Sequence, residues 1–167
     1  MTSAPARRAF LKGNFQPKAV VRPLGAATDM SFFDACTQCG DCARACPEQI
    51  IQRDSDGFPA VEFAAGACTF CNACTEACPT EALSPATGWN WRATADQTCL
   101  SKNAITCRSC EDHCDSQAIR FRLMTGGRSE PVFDTDACTG CGACAPVCPA
   151  QAITFHHIQQ PDGGLQC

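Results

Sequence analysis

The chain carries seventeen cysteines in 167 residues, against ten Phe, two Trp and no Tyr. Roughly one cysteine in ten residues, with so few large apolar side chains, excludes an ordinary packed core as the main source of folding free energy and leaves crosslinks or bound metal. Thirteen basic against seventeen acidic residues, with no basic run, give no footprint for a phosphate backbone, so no nucleic-acid partner is expected.

The first 28 residues read as a basic arm, with Arg7, Arg8, Lys12, Lys18 and Arg22. The stretch "RRAFLK" looks like a twin-arginine export signature, but export requires an uninterrupted apolar segment behind it. The apolar pieces that follow, residues 19–21 and 24–27, are short and split by Arg22 and Pro23. A cytoplasmic location and no membrane span are therefore expected. The arm is expected to contact a partner or to pack across the neighbouring domain; a disordered solubilising tail is the alternative.

Beyond the arm the cysteines fall into four runs. "CTQCGDCARACPE" begins at Cys36, "CTFCNACTEACPT" at Cys68 and "CTGCGACAPVCPA" at Cys138; a stretched copy, "CLSKNAITCRSCEDHC", begins at Cys99. Disulfides belong to oxidising compartments, and thiols two residues apart are poorly placed to crosslink distant segments. Zinc takes four ligands as two C-x2-C pairs and has no use for a third thiol spaced two residues further on. A cuboidal [4Fe–4S] cluster is larger than one ion, and a chain curling around it offers a thiolate at every third residue. C-x2-C-x2-C-x3-C-P is the bacterial ferredoxin signature, its fourth cysteine serving the other cluster of a pair. Small residues between the cysteines (Gly40, Ala43, Ala73, Gly140, Gly142 and Ala143) let backbone N–H groups approach the cluster. Pro47, Pro79 and Pro149 then redirect the chain after the fourth thiol.

Each run sits in one repeated plan: a short strand, the cysteines, a brief helix, another strand. Ile50 or Ile51, Leu83, Ile119 and Ile153 are placed to cover the clusters. Alternation over Ile119, Phe121 and Leu123, and over Ile153 and Phe155, predicts half-buried strands. Hairpin turns at Asp56 and Gly57, and at Gly126 and Gly127, join run one to two and run three to four. The link between runs two and three, with Pro85 and Gly88, reads as a boundary. The expected fold is α+β, small and loop-rich. Two tandem bacterial-type 2[4Fe–4S] ferredoxin-like modules follow the arm, the first over residues 29–86 and the second over 87–167.

Four [4Fe–4S] clusters are expected, with the fourth cysteines exchanged within each module. Site I takes Cys36, Cys39, Cys42 and Cys78; site II takes Cys46, Cys68, Cys71 and Cys74. Site III takes Cys99, Cys107, Cys110 and Cys148; site IV takes Cys114, Cys138, Cys141 and Cys144. A nested pairing, run one with four and two with three, uses the same sixteen thiols and stays open. Site III is the least regular: seven residues follow Cys99, and Asp115 replaces the proline. An occupied site is expected there, a labile or lost one being the alternative. His113, His156 and His157 read as solvated, Trp89 and Trp91 as filling of the joint between modules, and Cys167 as a free terminal thiol.

With these motifs in place, the chain resembles the NapF family, the ferredoxin-type accessory proteins of periplasmic nitrate reductase systems. The resemblance rests on "RRAFLKG" followed by Arg22 and Pro23, the three regular runs, and the stretched third run; Cys167 departs from it. It implies a cytoplasmic protein that binds the catalytic molybdoenzyme subunit of periplasmic nitrate reductase and assists its maturation before export, through cluster insertion or reduction. A general electron carrier between soluble oxidoreductases is the other reading. No Gly-rich nucleotide loop, flavin motif or nucleophile–base arrangement can be assembled, so no catalytic role of its own is expected.

Overall fold

The structure, a computed structural model, describes residues 19–27, 30–86 and 88–158. Short helices α1 (Met30–Ala35), α2 (Asp41–Ala45), α3 (Ala73–Glu76) and α4 (Ser109–Asp112) alternate with strands β1 (Ile51–Arg53), β2 (Pro59–Val61), β3 (Trp91–Ala95), β4 (Ile119–Leu123), β5 (Ser129–Phe133) and β6 (Ile153–His157). The strands form three two-stranded antiparallel sheets, β1–β2, β4–β5 and β3–β6. No helix among the described residues is long and apolar enough to cross a membrane.

The two halves repeat one plan. The hairpin β1–β2 pairs Ile51 with Val61, and β4–β5 pairs Ile119 with Phe133. In the second half the flanking strands close on each other, Trp91 opposite His157 through Ala95 opposite Ile153. In the first half the same closure has shrunk to a single bridge, Ala26 with Leu83. The β1–β2 turn is fastened by Asp54, whose Oδ1 accepts from the N–H of Asp56 and of Phe58 at 3.0 and 2.9 Å.

Three runs make a one-turn helix at their third cysteine and the fourth run makes only turns. The reason is a single donor. Arg44, Glu76 and Asp112 each give their N–H to a carbonyl four residues back (Gly40, Asn72 and Arg108) at 3.1, 3.0 and 3.2 Å. The corresponding residue of the fourth run is Pro146, which has no N–H to give. Helix α1, ahead of the first run, replaces the short strand expected there; it buries Phe32 and leaves Met30 and Phe33 exposed.

The expected alternation in β4 fails at its far end. Ile119 is buried, but Leu123 is 86% exposed, because the hairpin runs outward past a core too small to cover it. In β6 the pattern holds, with Ile153 buried and Phe155 partly so. His156 and His157 lie inside this strand, opposite Arg92 and Trp91, and both are exposed.

Residues 19–27 lie along the first half. The Val21 carbonyl accepts the Val61 N–H at 2.7 Å, and Val21 and Leu24 are buried. Arg22, grouped with the arm by its charge, is fixed here. It pairs with Asp54 at 2.7 Å, donates to the Pro59 carbonyl at 3.0 Å, and sits 5.2 to 6.0 Å from the ring centres of Phe33, Phe32 and Phe58. Burial works to raise the Asp54 pKa, but the Arg22 hydrogen bond and charge, with two backbone N–H donors, hold it below the usual carboxylate value. The ion pair, the hydrogen bond and the ring contacts together fasten the segment to the first half. Arg7, Arg8, Lys12 and Lys18 lie outside the described residues.

The halves meet on a small aromatic joint. The Phe63 ring lies 4.5 Å from that of Phe155 and 5.9 Å from that of Trp89, which reaches Phe70 at 6.3 Å. Trp89 and Trp91 are both buried beside it. Gly142 completes the joint: a Cβ there would stand 2.1 Å from the Phe63 ring, so only glycine permits this approach.

Candidate metal centres

Cys36, Cys39, Cys42 and Cys78 line one cavity, together with Phe32 and Leu83. Cys46, Cys68, Cys71 and Cys74 line a second, with Ile50 and Trp89. In the second half the charges of Cys99, Cys107 and Cys148 act on Cys110, and those of Cys141 and Cys138 act on Cys144. Cys114 packs against the one core of this half, together with Cys99, Cys110, Cys138, Cys144 and Cys148. The fourth cysteine of a run thus faces the neighbouring run: Cys78 acts on Cys42, and Cys46 on Cys68 and Cys74. Among the described residues no three His, Cys, Asp or Glu side chains converge tightly enough to hold one metal ion. The thiols are spread around a volume rather than drawn onto a point.

The backbone creates that spread. In each regular run the residues on both sides of the second cysteine are left-handed: Gln38 and Gly40, Phe70 and Asn72, Gly140 and Gly142. Left-handed residues in a turn direct successive N–H groups into one concavity, an arrangement that suits anions and cluster sulfur. For the non-glycine members the conformation costs about 1 kcal/mol each, a local strain that the surrounding contacts must hold. Gly140 has a further duty, since a Cβ would fall 2.3 Å from the Trp91 carbonyl oxygen. The third run lacks the pair; Arg108 has φ −139° and ψ 12°, outside the left-handed region, and the left-handed residue is Ala104, in the long loop.

That loop is well fastened nonetheless. Ser101 is buried and donates to the Ser129 carbonyl at 2.8 Å, Lys102 reaches the Ala95 carbonyl at 2.7 Å, and Asn103 reaches those of Gln97 and Cys99. These bonds hold Cys99, itself buried, beside Cys110 despite seven intervening residues before Cys107. His113 is exposed, its Nδ1 2.9 Å from the Ser109 carbonyl. Cys167 lies outside the described residues.

Donors already point at sulfur. The N–H groups of Phe70, Ala118 and Ala152 donate to the Sγ of Cys68, Cys114 and Cys148 at 3.4, 3.3 and 3.3 Å. Burial, then the neighbouring Cys141, Cys138 and Cys110, push the Cys144 thiol up to about 12. Burial also pushes Cys74 to about 11, with Cys68 adding to it, and Cys110 to about 11, with Cys99 and Cys107 adding. Cys78 goes the other way: burial opposes it, but the Thr80 N–H and hydroxyl and the Leu83 N–H lower it. Such crowded thiols resist ionisation until cations share the space, so loading metal expels protons. Eight thiols lining two apolar cavities, eight more in the second half, and N–H donors at three of the sulfurs fit [4Fe–4S] clusters in donor chemistry.

Sequence reasoning placed aliphatic residues as covers; Leu83 lines the first cavity, Ile50 and Ile51 line the second, and Ile119 and Ile153 are buried in the second half. It missed Trp89 at the second cavity and Thr80 at Cys78. A single tryptophan in a linker carries no signal of which cavity it reaches.

Comparison with known proteins agrees with this geometry. The 4Fe-4S dicluster domain family matches over residues 35–83, and a second 4Fe-4S dicluster domain family over residues 104–152. Fold and sites therefore define a tandem dicluster iron–sulfur protein of ferredoxin type, with about four [4Fe–4S] clusters. The chain is 40% identical to the ferredoxin-type protein NapF of Haemophilus influenzae, and 36% identical to that of Escherichia coli K12. Each match covers 92% of this chain and 95% of the relative. The methylamine utilization ferredoxin-type protein MauM of Methylophilus methylotrophus is 32% identical, over 89% of this chain and 70% of its own. The chain belongs to the NapF family.

Proposed function

We propose that sites I to IV hold one [4Fe–4S] cluster each, ligated by the sixteen cysteines in the tandem pairing. The protein then acts in the cytoplasm as an accessory to the catalytic subunit of a periplasmic nitrate reductase. It binds that subunit before export and assists its maturation by cluster insertion or reduction, with no catalysed reaction of its own. Bound clusters supply one-electron chemistry, while the protein sets orientation, hydrogen bonding and exposure. The observation that supports the cluster assignment is the approach of three fourth cysteines, Cys78, Cys46 and Cys148, to the neighbouring run. Support for the partner is the match to NapF over nearly the whole chain.

A second reading, a general ferredoxin-type electron carrier, draws on the likeness to MauM, which belongs by name to a different pathway. The two readings differ in what they require of the N-terminal residues. Since Val21, Arg22 and Leu24 are built into the first half, only residues 2–18 can be removed without opening its core. Their deletion is expected to leave iron and sulfide content unchanged and to weaken anaerobic co-purification with the nitrate reductase catalytic subunit. Co-purification at full strength would count against a docking role for the arm. A full-length chain that never retains the subunit, yet reduces unrelated oxidoreductases, would favour the carrier.

A further inference from the structure

We infer that the two halves form one electron path, joined where Cys68 of site II meets Cys141 of site IV. The inference rests on the cluster assignment above and goes beyond it, since two dicluster domains could equally work as separate pairs.

The Cys68 N–H donates to the Cys141 carbonyl oxygen at 2.8 Å, the one backbone hydrogen bond recorded between the halves among the described residues. Both residues are cluster ligands in the proposed assignment. The connection from one site to the other is therefore thiolate, backbone, hydrogen bond, backbone, thiolate, with no side chain of another residue between. The thiols themselves are near enough for the Cys141 charge to act on Cys68. Within the halves the neighbours follow from packing. Helices α2 and α3 pack together and carry Cys42 of site I and Cys74 of site II, and Cys110 of site III acts on Cys144 of site IV. The order of sites is then I, II, IV, III.

The joint looks built to keep this contact short. Phe63 fills the space beside it, stacked 4.5 Å from Phe155, and Gly142, next to Cys141, lies flat against the Phe63 ring. Phe63 is thus a positioning residue: it is absent from the linings of the site I and site II cavities, shares another cavity with Cys148, and holds Cys141 close to Cys68. The step across the joint is simple in its balance. One electron leaves a reduced cluster at site II and reduces the oxidised cluster at site IV, with no bond made or broken and no proton moved. The electron comes from a low-potential one-electron donor, for which dithionite serves in the test.

The test uses the full chain with its clusters, fully reduced by dithionite, as wild type, Phe63→Ala and Phe63→Leu. Iron and sulfide are first measured in each. EPR spectra are then recorded at two microwave frequencies, where spin–spin splittings stay constant in field units. A splitting that changes alike in Phe63→Ala and in Phe155→Ala, the two rings that meet across the joint, reports on the joint. The expected result is wild-type iron and sulfide in both variants, loss of part of the splitting in Phe63→Ala, and its return in Phe63→Leu. Amide exchange over residues 64–72 should rise in Phe63→Ala, showing that the Cys68 hydrogen bond has opened. Spectra identical to wild type in an opened Phe63→Ala protein would overturn the inference. If Phe63→Ala loses iron, Phe155→Ala opens the joint from the other half and is read the same way. Absence of iron and sulfide from wild type would instead reject the cluster assignment itself.

Discussion

Stripping iron and sulfide from the chain under anaerobic, reducing conditions should unfold it. Among the described residues the longest helix, α1, has six residues and the longest strands have five. Isolated helices shorter than about 12 residues are marginal in water, and so is a lone two-stranded sheet. Two small buried clusters, much of them alanine and cysteine, must hold these pieces together. In the proposed assignment, thiolate–iron bonds would join Cys36 to Cys78 and Cys99 to Cys148, linking segments that apolar packing alone does not secure. Left-handed Gln38, Phe70 and Asn72, beside the second cysteine of the first two runs, add strain that a bound cluster would help to offset. Circular dichroism of the stripped chain should lose its secondary-structure signal, and urea should give no cooperative transition. A compact apo chain with a sharp transition would show that the core suffices alone.

The second large effect concerns partition of ligands. Cys148→Ala should empty site III, not site IV, although Cys148 belongs to the fourth run. In the structure Cys148 acts on Cys110, beside Cys99 and Cys107. The EPR component lost in Cys148→Ala should therefore match the one lost in Cys107→Ala and differ from the one lost in Cys141→Ala. Iron should fall by about four atoms per chain in each case, one cluster's worth. A match to Cys141→Ala would mean that each run closes on itself. A match to Cys36→Ala would mean that runs one and four are nested.

Both effects trace back to features that were readable before any coordinates. Thiol spacing is a local property, legible in the sequence alone, whereas the pairing of the runs is not. The turns at Asp56 and Gly57 and at Gly126 and Gly127 announce β1–β2 and β4–β5, since a hairpin's register depends on the residues of its own turn. Other features depend on contacts distant in sequence. Nothing in "ITFHH" specifies Trp91–Ala95 as its partner across more than fifty residues, and the counterpart bridge of Ala26 with Leu83 is one residue long. Arg22 reads as one more cation of an arm until Asp54 and three phenylalanine rings are seen around it. Gln38 and Phe70 give no warning of left-handed backbone, because neither is a residue type that prefers it. Leu123 keeps the strand alternation and still lies exposed, since a pattern of apolar residues does not report how far the core extends. The missing helix of the fourth run could have been read directly from Pro146.

The central claim is that these thiols surround cubes of iron and sulfide. Anaerobic purification followed by iron and acid-labile sulfide analysis tests it most directly. The account predicts brown protein with about sixteen iron and sixteen sulfide per chain, as expected for four [4Fe–4S] clusters. Colourless protein carrying stoichiometric zinc and no labile sulfide would contradict it.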